Sequence, residues 1–168
     1  MGGVVLDLGC AEGTFALSVI DKARKVICFE PDASWCNTLR YTFKSHSKEV
    51  EVVNRFVSSV TNLEDNQISI DDYFGENIPD DISVVKMDIE GAEQEALHGM
   101  RKTLEKNPQA VLLICAYHTK EASKEIREIL NDMKYLYDVR DGKVVYCIES
   151  NDKEDILRDG LIEAYKGA

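Results

Sequence analysis

Short apolar runs rich in β-branched residues alternate along the chain with longer stretches whose apolar positions recur every three or four residues. The first kind suits strands buried on both faces, and the second suits amphipathic helices laid against them. The alternation predicts an α/β fold in which helices cover both faces of a mostly parallel sheet. Val4–Leu8 reads as the first strand and Thr14–Ala23 as the helix after it, with Phe15, Leu17, Val19 and Ile20 apolar. Lys25–Glu30 is the second strand. Asp32 is placed to cap a helix in which Trp35, Leu39 and Phe43 recur every four residues and share one face. Val50–Val53 gives a third strand.

Residues 60–80 are polar and irregular and read as a long loop, of the kind that covers a substrate on such scaffolds. Ser83–Asp88 is the fourth strand, followed by one helix over Ala92–Glu105 that aligns Ala92, Ala96 and Met100. The fifth strand, "AVLLICAY" from Ala110 to Tyr117, has no polar interruption, as expected at the buried middle of a parallel sheet. Lys120–Met133 is an amphipathic helix carrying Ile126, Ile129, Leu130 and Met133. "YLYDV" and "VVYCI" then flank Arg140-Asp141-Gly142-Lys143, and the Asp-Gly pair predicts an antiparallel hairpin. Asn151–Ala168 is read as one short helix.

The 168 residues suffice for a single domain spanning the chain. A net charge of -11 with no basic stripe argues against a nucleic-acid partner. Five cysteines are scattered singly, without a CxxC pair, so neither a disulfide framework nor a zinc site is expected. Met-Gly-Gly leads straight into a strand, and the longest apolar run, around Ala110–Ala116, is too short for a bilayer. These features predict a cytoplasmic protein with no leader and no membrane partner. Oligomeric state is open, a homodimer among the options.

The chemistry concentrates in "VVLDLGCAEGTF", Val4–Phe15. A strand, a glycine turn and a helix bring backbone N–H groups close to a bound nucleotide. Three details narrow the ligand. Ala11 stands where a dinucleotide fingerprint has its middle glycine. Asp7 and Glu12 would repel a diphosphate but suit a ligand bearing an ammonium group. Glu30, at the tip of the second strand, can accept both hydroxyls of a ribose. Together they point to S-adenosyl-L-methionine rather than a nicotinamide dinucleotide. The closing antiparallel pair agrees, since it resembles the end of the class I methyltransferase fold. That is a three-layer Rossmann-like arrangement of a seven-stranded, mostly parallel sheet.

"KMDIEGAEQEALHGM", Lys86–Met100, narrows the likeness. With "LDLGCAEGTFAL" and "CFEPD" it resembles the FkbM-type S-adenosylmethionine-dependent methyltransferases, over about Val4 to His118. The resemblance implies O-methylation of a hydroxyl on a small molecule or glycan. It implies that Asp7, Gly9 and Gly13 line the methionine end and sugar, that Glu30 takes the ribose hydroxyls, and that Pro31 and Asp32 edge the adenosine. Residues about Val57–Ser59 would approach the adenine, while Cys10, Thr14, Phe15 and Asp88 complete the expected cofactor contacts. Two features depart from the family pattern. The chain opens on its first strand without a helical lead-in, and Ala116 stands near a point where relatives often carry a glutamate.

Asp88, Glu90 and His118 fall at or just past strand ends, where open parallel sheets bind ligands. Methyl transfer is a direct displacement that a base assists by taking the acceptor's proton. His118 is the first candidate for that base and Asp88 the second, as base or positioner. Glu90 and Glu93 read as caps of the following helix, Gly91 as permitting a turn that a side chain would obstruct, and Lys86 as a partner for an acid. His46 and His98 fall on helices, as surface or packing residues. No Asp-Asn pair follows the fifth strand, so no metal is expected. A nicotinamide-dependent oxidoreductase and a cofactor-binding module without catalysis are the alternatives.

Overall fold

The computed structural model describes residues 2–46, 48–145 and 157–167. Its centre is a seven-stranded sheet. β1 (Val4–Leu8) pairs in parallel with β2 (Lys25–Phe29) and with β6 (Ile82–Met87); β3 (Glu49–Val53) lies outside β2, and β7 (Val111–Cys115) outside β6. Beyond β7 come β11 (Leu161–Tyr165) and β8 (Leu136–Val139), giving the order β3-β2-β1-β6-β7-β11-β8. β11 runs antiparallel to both of its neighbours.

Alternation along β1 divides the core in two. Leu6 and Leu8 face a cluster with Ile70, Leu97, Met100, Leu104, Ile126 and Leu130. These come from α3 (Ile70–Phe74), α4 (Glu93–His98), α5 (Arg101–Lys106) and α6 (Ala122–Asp132) and their junctions. Val5 faces the other cluster, with Ala16 of α1 (Thr14–Val19) and Leu39 and Phe43 of α2 (Ala33–Phe43). A sheet lined by apolar residues on both faces needs both helical layers to exclude water.

Four expectations are corrected. Residues 60–80 are not plain loop: β4 (Phe56–Val57) pairs with β5 (Gln67–Ile68), and α3 follows, capped by Ser69. The helix expected over Ala92–Glu105 is two helices. Gly99 passes so close to the loop after β4 that a Cβ there would lie 2.1 Å from the Ser58 carbonyl oxygen. Asp71 restarts the helix beyond the break, its carboxylate accepting from the N–H groups of Lys102 (3.1 Å) and Thr103 (2.8 Å).

The hairpin and the tail are corrected together. β8 pairs with β11, while β9 (Lys143–Val145) pairs with β10 (Leu157–Asp159) in a separate antiparallel ribbon. Residues 146–148 of the expected hairpin and 151–156 of the expected helix lie outside the described residues. In β11, Ile162 and Ala164 are buried while Glu163 pairs with Arg140. That two-residue alternation suits a strand closing the apolar edge of β7. Among the described residues no helix is long and apolar enough to cross a membrane.

Candidate active site

A cavity of about 280 Å³ opens at the carboxyl ends of β1, β2 and β6, where strand order reverses. Gly9 and Ala11 line it from the turn after β1, and Glu30 and Pro31 from the tip of β2. Trp35 contributes from the first turn of α2, Arg55, Phe56 and Val57 from the chain after β3, and Asp88, Ile89, Glu90 and Ala92 from the turn after β6.

The turn after β1 is set by close contact with β6. Gly9 has φ 75°, and a Cβ there would stand 1.9 Å from the Asp88 carbonyl oxygen, so only glycine fits. The Gly9 N–H donates to the Phe29 carbonyl (2.9 Å), and the Lys86 ammonium donates to the Gly9 carbonyl (2.5 Å). Lys86 Nζ also lies 3.2 Å from Asp7 Oδ1, realising the acid pairing expected of it.

Asp7 is fully buried beneath the turn and does not line the cavity. Burial raises its pKa, against the lowering effect of Lys86. Cys10 is also buried, its thiol donating to the carbonyls of Asp7 (3.0 Å) and Phe29 (3.3 Å), and burial beside Cys28 pushes that thiol's pKa up. The ligating atoms of Asp7, Cys10 and Cys28 converge within 4.8 Å, with the Lys86 ammonium against Asp7. Gly13, Thr14 and Phe15 lie behind the turn: Thr14 donates to Glu12 (3.1 Å), and Phe15 packs on the α1–α2 side of the core.

At the tip of β2, both carboxylate oxygens of Glu30 are oriented by the backbone. One accepts from the Ala11 N–H (2.9 Å) and the other from the Asp32 N–H (2.9 Å). Asn54 fixes the same tip by donating to the carbonyls of Glu30 (2.9 Å) and Pro31 (2.8 Å). Asp32 caps α2 as expected, accepting from Ser34 N (2.7 Å) and Trp35 N (3.4 Å), and is not on the cavity wall. The Ser34 hydroxyl and these amides hold its carboxyl below the usual carboxylate range.

Past β6 and β7, five ionisable groups form one network. Asp88 Oδ1 accepts from the Tyr117 hydroxyl (2.8 Å) and lies 3.2 Å from His118 Nε2. The other ring nitrogen, Nδ1, lies 3.0 Å from Glu93 Oε1, and Glu90 stands 3.8 Å from Nε2. Glu93 is buried and accepts from the Ile89 N–H (3.0 Å), so it ties the cavity wall to His118. Burial alone would lower the His118 pKa, but the bonds to Asp88 and Glu93 outweigh it and raise it from 6.5 to about 9. Burial pushes the Asp88 carboxyl up, but His118 and Tyr117 together hold it below the usual range.

With its pKa raised in this way, His118 favours the imidazolium, which has a carboxylate near each nitrogen. Gly91 permits the turn as expected: φ is 99°, and the nearest atom to a Cβ would be 3.6 Å away. The backbone conformation, rather than lack of room, calls for glycine.

Of the expected residues, the structure brings Gly9, Glu30, Pro31, Asp88 and Val57 to one cavity. It adds Trp35, Arg55 and Phe56 on the wall, with Asn54 and Tyr117 behind it. Trp35 looked like a core residue by its spacing from Leu39 and Phe43, but it is 40% exposed. Tyr117 adjoins His118 in the sequence, which was the one signal for it. His46 lies against Phe43 with the two rings tilted, and His98 lies beside Arg101, neither on the cavity.

Residues 30–137 match the family model described as the methyltransferase FkbM domain. The match begins at Glu30, so the glycine turn lies before it. Among solved structures, methyltransferase FkbM from Methylobacillus flagellatus KT superposes with a TM-score of 0.71 at 24% identity, covering 98% of this chain and 44% of that one. The chain thus spans less than half of that relative. Precorrin-6y C5,15-methyltransferase from Geobacter metallireducens GS-15 superposes with a TM-score of 0.64 at 16% identity, covering 99% and 82%. Precorrin 8w decarboxylase from Methanobacterium thermoautotrophicum gives 0.65 at 18% identity, again covering 99% and 82%. These likenesses establish the fold. No curated protein matches the chain.

Proposed function

Because the chain belongs to the FkbM methyltransferase family, we propose that it is an S-adenosyl-L-methionine-dependent O-methyltransferase acting on a hydroxyl of a small molecule or glycan. The observation that carries the reading is the placement of Glu30 on the same cavity as Gly9 and Asp88. A pre-oriented carboxylate suits a ribose diol, and the acids around the cavity suit a cationic ligand. Glu30, Asp88 and Glu90 oppose the single cation Arg55 on its wall. A diphosphate would meet repulsion there, which disfavours the oxidoreductase alternative.

The residues present fit the methyl donor. Glu30 would hold the ribose, Trp35 and Phe56 would flank the flat base, and Gly9 and Asp88 would face the cationic end. When bound, the donor supplies an electrophilic methyl on a sulfonium. The protein's part is to align the acceptor oxygen. Asp88 has one oxygen held by Tyr117 and His118, and its side chain is 32% exposed on the cavity wall. A carboxylate held ionised in this way orients an acceptor hydroxyl and receives its proton as the new bond forms. His118 acts here as a positioning residue, a fixed positive charge that keeps Asp88 ionised and aimed.

Calorimetry with S-adenosylhomocysteine and with NAD tests the cofactor, followed by methyl transfer from labelled donor to a panel of hydroxylated acceptors. Binding of S-adenosylhomocysteine and formation of a methyl ether are expected. Binding of NAD alone would overturn the reading, and methylation only at nitrogen or carbon would overturn the choice of oxygen.

A further inference from the structure

A lysine in the middle of a core strand needs a reason, because an ammonium leaves water at a high cost unless charge and hydrogen bonds replace it. Lys86 sits between Val85 and Met87, both fully buried, and opposite Asp7 in the β1–β6 register. Its side chain is 15% exposed and that of Asp7 is 0%. The two lie on the sheet face that α1 and α2 cover, away from the large core cluster that takes Leu6, Leu8 and Met87. The ammonium makes two contacts: Asp7 Oδ1 at 3.2 Å and the Gly9 carbonyl at 2.5 Å.

The second contact has a geometric consequence. A trans peptide points its C=O and the following N–H in opposite directions. With the Gly9 carbonyl drawn to Lys86, the Cys10 N–H points away from it, and that N–H makes no protein hydrogen bond among the described residues. Both neighbouring amides are used within the protein: Gly9 donates to Phe29, and Ala11 donates to Glu30. The Cys10 N–H is thus left over between two amides that are used, and its direction is set by Lys86.

We infer that Lys86 is a positioning residue for cofactor binding: it locks the Gly9–Cys10 peptide so that the Cys10 N–H is presented to the ligand's carboxylate, and Asp7 is its buried counter-charge. The inference rests on reading the cavity as the S-adenosylmethionine site. It gives the acid inside the apolar first strand a role different from direct contact with the ligand's ammonium group. Asp7 serves the turn from beneath.

The test is calorimetric titration of S-adenosylhomocysteine into the wild type, Asp7→Asn, Lys86→Met and the Asp7→Asn/Lys86→Met double variant, with Tm measured for each. Lys86→Met strands a buried carboxylate and is expected to lower Tm sharply, whereas the double variant removes both charges and recovers much of it. A merely structural lysine would recover affinity along with Tm. A positioning lysine leaves the folded double variant about tenfold or more weaker than wild type, the loss of one charge-assisted hydrogen bond. Asp7→Asn keeps the bond to Gly9 but takes away the ammonium's counter-charge, so its Tm is expected to fall while the folded variant binds within about threefold of wild type.

Wild-type affinity in either folded Lys86 variant overturns the inference. So does a tenfold loss in Asp7→Asn, which decides the matter even if both Lys86 variants unfold. Failure of the wild type to bind S-adenosylhomocysteine sinks the cofactor reading instead, and so is distinguishable from both.

Discussion

Replacing His118 with glutamine tests the charge assignment at the centre of the site. Glutamine keeps an amide donor near Asp88 but carries no charge at any pH. The His118 side chain is 2% exposed, between Asp88 and Glu93, so its interactions are little screened by solvent. A pKa of 6.5 raised to about 9 corresponds to about 3 kcal/mol of extra stability from the protonated form. Because the folded value is the higher one, this contribution is fully present below pH 6.5 and fades as pH rises through about 9. About 2 kcal/mol of it should remain near pH 7.5.

Urea unfolding of both proteins at about pH 6, 7.5 and 9.5 isolates the contribution of His118 and the carboxylates it contacts, because the remaining titrating groups cancel in the difference. The advantage of wild type over His118→Gln should shrink by about 3 kcal/mol across that range. A difference that stays flat would show that His118 does not hold its proton and would refute the imidazolium. Turnover gives an independent check. An unperturbed general base at His118 would make the rate climb through pH 6.5, and no such rise is expected.

Three further outcomes follow from the same geometry. Glu30→Gln should weaken S-adenosylhomocysteine binding about tenfold, the value of a charged hydrogen bond, measured by calorimetry. Asp88→Asn should slow methyl transfer by about 100-fold while affinity falls much less, separated by measuring turnover and calorimetric Kd on one preparation. Asn107→Ala should cost about 3 kcal/mol of stability without altering the cavity, read from the denaturation midpoint. Buried Asn107 accepts from the Ile82 N–H (2.9 Å) and donates to the carbonyls of Pro79 (2.8 Å) and Thr103 (2.9 Å), so its loss strands all three.

What could be read in the sequence was local. The first two strands, the Asp32 cap and the acid at the tip of β2 each depend on neighbours within a few residues, and each occurs as expected. What escaped depends on distant partners. Gly99 breaks a helix because Ser58 passes against it, and the helical pattern carries no trace of that approach. "LIEAY" fits helical and strand spacing equally, and it becomes a strand because β7 needs its edge closed. At the cavity, the places of Glu30 and Asp88 were legible from the strand ends. The approach of Asp88 and Glu93 to the two ring nitrogens of His118 was not, because it forms only in three dimensions.

The insertion of β11 between β7 and β8 also fixes an order of events during synthesis. Residues Leu161–Ala164 must reach back past β8 to pair with Cys115–Leu112, so the sheet cannot be sealed until they have been made. Until then β7, apolar along its whole length, presents an unpaired edge to any other strand in reach. Sealing it is a non-local, late step, and such steps are slow because loop closure precedes the reward of contact. A ribosome stalled before Leu157 would hold the cavity's walls beside an adhesive edge. Leu161–Tyr165, which lines no part of that cavity, thus decides whether the edge stays open.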